Sequence, residues 1–130
     1  MNKLRNVLVA MTLGLASLAA GAVEINPYTD KAFAAAQAEN RPVLVDIHAT
    51  WCSTCRRQAQ ILDGLFEDEA LADLLVLKLD WDAQREIAQR FGAPRQSTLI
   101  AFRGDEERGR SVADTREASI RELLHRAVKD

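Results

Sequence analysis

The segment "HATWCSTCRRQ", residues 48–58, holds the only two cysteines of the chain, Cys52 and Cys55, with Ser53 and Thr54 between them. A thiol pair at this spacing can exchange electrons with other thiols, staple the chain, or supply half of a metal site. A staple closing so small a ring constrains the unfolded chain only weakly. A structural zinc site normally needs four ligands, and no second Cys or His pair accompanies this one. Redox exchange needs a thiolate, which a cysteine at a helix start gains from the unpaired amide groups and the positive dipole end there. In such an arrangement Cys52 is the exposed attacking sulfur and Cys55, one turn deeper, the resolving one. Arg56 and Arg57 add positive charge beside them.

This chemistry demands a strand, a short turn and a helix opening at Cys52, and the surrounding residues supply them. "YTDKAFAAAQAEN" predicts a helix with Thr29 or Asp30 as N-cap, stopped by Pro42. The apolar, β-branched run in "RPVLVDIHA" predicts a buried strand. From Cys52 the spacing turns helical, with Ala59, Leu62 and Phe66 on one face and Ile61 and Leu65 beside them. "LLVLKLDW" is the next strand. Asp82 is the expected cap of the helix "AQREIAQRF", which ends at Gly92. "STLIAF" is a third strand, and "RGDEERGR" a turn-rich link into a short strand near Ser111–Val112. Ile120, Leu123, Leu124, Ala127 and Val128 form the inner stripe of a last helix. The order is α/β, with helices on both faces of a central sheet.

The chain is 130 residues long, a single-domain length. Its start reads as a cleavable secretory signal: a basic "MNKLR", an apolar "NVLVAMTLGLASLAA" too short to span a bilayer comfortably, and small residues at 20–22. The expected division is a signal peptide over 1–22 and one domain over 23–130, a retained anchor being the alternative. No cysteine near the cleavage site offers a lipid anchor, so no stable membrane insertion is expected after processing. Loss of Lys3 and Arg5 leaves 15 basic against 19 acidic residues, a change in net charge from −2 to −4. That balance, with its scattered basic residues, argues against nucleic acid or an anionic membrane as partner. Export places the cysteines where disulfides persist.

"VLVDIHATWCSTCRRQAQILD" and "FGAPRQSTLIAFRGDEE" resemble the active-site and later strand segments of the thioredoxin family, and the similarity covers essentially the whole mature domain. The resemblance implies a thioredoxin fold, with a mixed central sheet, and a thiol–disulfide oxidoreductase. The start "NPYTDKAFAAAQAENRPVLVDI" is more similar to exported thioredoxin-like domains that receive electrons across the inner membrane. By this resemblance Cys52 is the nucleophile, Cys55 resolves, and Trp51 is the tryptophan before the nucleophile. Asp46 matches the buried acid beneath the site, and Lys78 matches its lysine neighbour. Burial favours a neutral carboxyl, so Asp46 can accept the Cys55 proton. Trp51, Gln96 and Ser97 would meet the substrate chain.

Four positions depart from the family pattern. Thr54 replaces a proline between the cysteines, and Gln60 replaces the proline that kinks the helix. His48 replaces an aromatic residue on the face of Asp46, as a proton-handling modulator or a hydrogen-bonded packing histidine. Ser97 stands where the family carries a cis-proline, and Pro94 lies three positions too early to serve. The Gln96–Ser97 bond is therefore expected to be trans, since a cis bond before serine costs about 3 kcal/mol.

The functional expectation is a monomeric periplasmic reductant acting on protein thiols and disulfides and recharged by a membrane thiol donor. No nicotinamide, flavin or metal is expected in it, and no phosphate-cradling glycine loop exists. The alternative is a metal or iron–sulfur protein that uses the same cysteines, admitted by Ser97. The exported chain should begin at Val23, which the intact mass of secreted protein checks. A mass that includes residues 1–22 would mean a retained anchor.

Overall fold

The computed structural model describes residues 21–130, with Gly14 before them, so the signal expected over 1–22 lies almost wholly outside the described residues. Five strands form one mixed sheet: β1 (Glu24–Pro27), β2 (Pro42–His48), β3 (Leu75–Asp80), β4 (Thr98–Arg103) and β5 (Glu106–Val112), in the order β1-β3-β2-β4-β5. β3 runs parallel to β1 and β2, whereas β4 is antiparallel to β2 and β5. Among the described residues four α-helices accompany them: α1 (Asp30–Ala38), α2 (Ser53–Leu65), α3 (Arg85–Arg90) and α4 (Glu117–Val128), with a 3-10 turn at Glu69–Leu71. This is the expected α/β arrangement.

β2 is the centre of the sheet, and all of it but His48 is buried. Helices cover both faces, so its sequence reads as an apolar run rather than an alternation. Val43, Val45 and Ile47 enter a core with Tyr28, Phe102, Ala36 of α1 and Ala88 of α3, flanked by Phe33 and Phe91. Leu44 faces the other way, into a core with Leu62 and Leu65 of α2 and Ile120, Leu123, Leu124 and Ala127 of α4. Alternation by two puts Asp46 and His48 on this second face. β2 thus delivers a carboxyl and an imidazole to the side on which α2 lies.

Thr29 caps α1, its hydroxyl accepting from the Ala32 amide at 3.0 Å. Gly92, at φ +68, closes the turn after α3. The expected cap of α3 does not form. Asp80 Oδ1 accepts from the amides of Asp82 and Ala83 at 2.9 and 3.0 Å, which tightens that turn and moves the helix start to Arg85, behind Gln84. Asp82 is thereby released for other contacts. β5 begins at Glu106 rather than near Ser111, directly after the turn at Gly104, and β1 is a strand the apolar pattern did not announce.

Asp114 organises the turn from β5 into α4. Its Oδ1 accepts from the Arg116 amide and Nε, both at 3.0 Å, and the Ser119 hydroxyl donates to Oδ2. The Arg116 guanidinium, aided by Ser119 and the Arg116 amide and opposed by burial, holds the carboxyl down at about 2. A depressed acid stabilises the fold fully above the ordinary carboxylate range near about 4, and that contribution is lost as pH falls. Here the loss runs from about pH 4 down through about 2. Asp114→Asn should lower the melting temperature at neutral pH and flatten its fall across that window. Parallel melting curves for the two proteins across the window would contradict this assignment.

Candidate active site

β2 ends at His48, and a tight turn leads into α2 with Cys52 as N-cap in an extended conformation. The first amides of a helix lack intrahelical acceptors. Here the sulfur of Cys52 serves instead, accepting from the Cys55 amide at 3.1 Å. The two cysteines are joined as a disulfide, with Cα atoms 5.2 Å apart. Cys52 is not the exposed member of the pair: it is 3% exposed and Cys55 7%. The two cysteines cluster with Ala49, and Trp81 packs against that cluster. Trp51, 59% exposed, donates from Nε1 to Asp82 Oδ2 at 2.7 Å. The Arg85 guanidinium stacks on Trp81, 4.3 Å from the ring centroid.

Beneath this turn Asp46 is buried, with Lys78 Nζ 3.2 Å from its Oδ2. The two residues are direct partners in the β2–β3 register. They share with Ala59, Leu62 and Asp63 of α2 a cavity of about 40 Å³, enough for a water molecule. His48 occupies a separate groove, with Asn26, Lys78, Asp80 and Gln84. Among the described residues its buried Nδ1 has no partner. Among the described residues no group of three or more His, Cys, Asp or Glu stands where it could hold a metal ion.

Ser97 is fully buried and sits at φ +62, in the left-handed region that costs a residue with a Cβ about 1–2 kcal/mol. The bond before it is not cis, as expected. Three hydrogen bonds hold its backbone groups. Its amide donates to Ile47 O at 2.7 Å, and its carbonyl accepts from the Ala113 amide at 2.9 Å and from Gln58 Nε2 at 3.1 Å. Gln96, before it, is half-buried, and its carbonyl accepts from the Ser97 hydroxyl and from Arg95 Nε.

Gln58 is the residue that the sequence reading missed. It is 2% exposed on α2, and the same amide nitrogen also donates to Asp114 O at 2.9 Å. One side chain therefore ties the cysteine-bearing helix to the Ser97 loop and to the turn before α4. The signal was present: Cys55, Gln58, Leu62 and Leu65 make one inward stripe, and a polar amide within it must find partners. Ala59 and Phe66, expected on the inner face, are only half-buried. α2 runs unbroken through Gln60, as expected without a proline there. Gln58→Leu keeps the volume but removes the donor from two carbonyls, and should cost about 1–3 kcal/mol in urea unfolding. An unchanged midpoint would deny Gln58 this role.

The thioredoxin family model matches residues 24–126. A thioredoxin of Mycobacterium tuberculosis (strain ATCC 25618 / H37Rv) is 40% identical over 97 residues, covering 73% of this chain and 83% of that protein. The crystal structure of Trxlp from Edwardsiella tarda EIB202 is similar with a TM-score of 0.75 and 42% identity, over 78% of this chain and 98% of that one. A thioredoxin of Malassezia sympodialis, at 21% identity, shares the fold with a TM-score of 0.69, over 83% of this chain and 95% of that one.

Proposed function

The chain belongs to the thioredoxin family and is a thiol–disulfide oxidoreductase, and from that premise we propose that it is an exported, periplasmic reductant of protein disulfides. The observation that carries the reading is the position of Cys52 Sγ, which accepts the Cys55 amide at the head of α2. In the reduced protein the same donor and the helix dipole favour a Cys52 thiolate.

That thiolate attacks one sulfur of a substrate disulfide, and the other sulfur leaves as a thiolate. A mixed disulfide between Cys52 and the substrate results. Asp46 takes the proton of the Cys55 thiol, and the Cys55 thiolate attacks Cys52 Sγ. The second substrate sulfur leaves, so the substrate has gained two electrons and the protein has become the Cys52–Cys55 disulfide. Lys78, paired with Asp46, holds the carboxyl in place, and the adjoining cavity offers a water through which the proton can leave. Trp51 and Gln96 border the substrate chain, Ser97 shapes the loop from its buried position behind Gln96, and His48 modulates proton traffic from the neighbouring groove.

The basic and apolar start of the chain supports export. A membrane thiol donor would then restore the dithiol of a monomeric protein. Equilibration of residues 23–130 in glutathione buffers, with thiols counted by alkylation, should give a potential near about −270 mV. A value near about −120 mV would make the protein an oxidant. Thiols that titrate only after a chelator is added would point instead to metal held by Cys52 and Cys55. With a protein disulfide substrate, Cys55→Ser should accumulate the mixed disulfide and Cys52→Ser should form none.

A further inference from the structure

Three segments lie at the end of the sheet where the disulfide lies, and each carries an arginine that donates to nearby backbone: Arg56 in the first turn of α2, Arg85 at the start of α3 and Arg95 in the loop before β4. Arg56 Nη1 donates to Thr50 O at 3.4 Å, just before Trp51 and Cys52. Arg85 Nε donates to Trp81 O at 3.2 Å while its guanidinium lies on the indole of Trp81, which packs against the cysteine cluster. Arg95 Nε donates to Gln96 O at 3.3 Å, beside the Ser97 carbonyl held by α2. Each bond uses one of the five N–H donors of a guanidinium and leaves the rest of the group free to bind elsewhere.

The exposed acids at this end, Asp82 and Glu86, lie on the Arg85 segment. Asp82 is bound to the Trp51 indole and lies 3.6 Å from Arg85. Asp80 accepts backbone amides, and Asp114 is held by Arg116 and Ser119. Arg56 and Arg95 are both exposed and have no ion-pair partner among the described residues. Segments 49–54 and 92–97 contain no Asp or Glu at all. A domain of net charge −4 after signal removal therefore presents a cationic rim around its redox pair.

We infer that this rim selects protein substrates whose disulfides are flanked by Asp or Glu side chains, with Arg56 and Arg95 as the specificity-determining residues. The inference rests on the oxidoreductase assignment and adds a substrate class to it. Paired against carboxylates, the two guanidinium groups would speed encounter and orient the incoming disulfide over Trp81. Arg85, its charge shared with Asp82, serves mainly to hold the indole against the cysteine cluster.

The test compares kcat/KM for two synthetic disulfide peptides that differ only in flanking residues, acidic in one and lysine in the other. The full oxidoreductase cycle is driven by a chemical reductant. The acidic peptide should be preferred by about tenfold or more in low salt. The preference should collapse between about 0.01 M and 1 M salt, as the screening length falls from about 30 Å to about 3 Å. The double variant Arg56→Gln, Arg95→Gln should reduce the acidic-to-lysine ratio toward one. The ratio separates docking from any change in thiolate reactivity, which affects both peptides alike. Equal rates for the two peptides in the unaltered protein, or a ratio that ignores salt, would overturn the inference. Reduction of neither peptide would instead count against the reductase reading.

Discussion

The hydrogen bond from the Cys55 amide to Cys52 Sγ is the contact on which the rest of the molecule converges. A free amide at the head of a helix stabilises whatever anion stands before it, and this chain places a sulfur there. For that to happen β2 must end at His48 and α2 must begin at Ser53. β2 is fixed by neighbours on both sides, and α2 by Leu62 and Leu65 in the core it shares with α4. The sulfur is thus located by packing some distance away from it.

The second constraint is the loop that crosses below the helix start. A proline fixes backbone shape through its ring, and it cannot donate. Ser97 has a donor and uses it on Ile47 O, the strand position just before His48. The left-handed backbone costs energy, and the bonds from Ala113 and Gln58 offset it. Shape is therefore enforced by a network instead of a ring, and the network includes the redox helix itself.

Elements whose residues meet a core were legible from their pattern. The apolar runs of β2, β3 and β4 and the stripe of α4 required only local spacing. β1, "EINP", has one partly buried residue and gains strand geometry from pairing with β3, so nothing local marked it. Asp82 looked like a helix cap because capping is a local rule; Asp80, two residues earlier, had already claimed the turn amides. The cysteine pair, Asp46 with Lys78, and the anomaly at Ser97 were visible as residue types at positions. The burial of Cys52 was not, since Trp81, which packs against the cysteine cluster, comes from the turn after β3, remote in sequence.

The central position of β2 also orders events in time. Its partners are β3 on one side and β4 on the other, with Pro42 paired to Arg103 and Ile47 to Thr98. These are contacts of long sequence separation, whose loop-closure entropy is lost before the pairing repays it. As the chain emerges from its N-terminus, the cysteine turn is made long before the strand that secures it. The two thiols are therefore in place while the sheet is still unfinished. Bridging Cys52 to Cys55 at that stage uses only neighbouring residues and so does not block the later strands, which makes adjacency itself a safeguard against wrong intermolecular linkage.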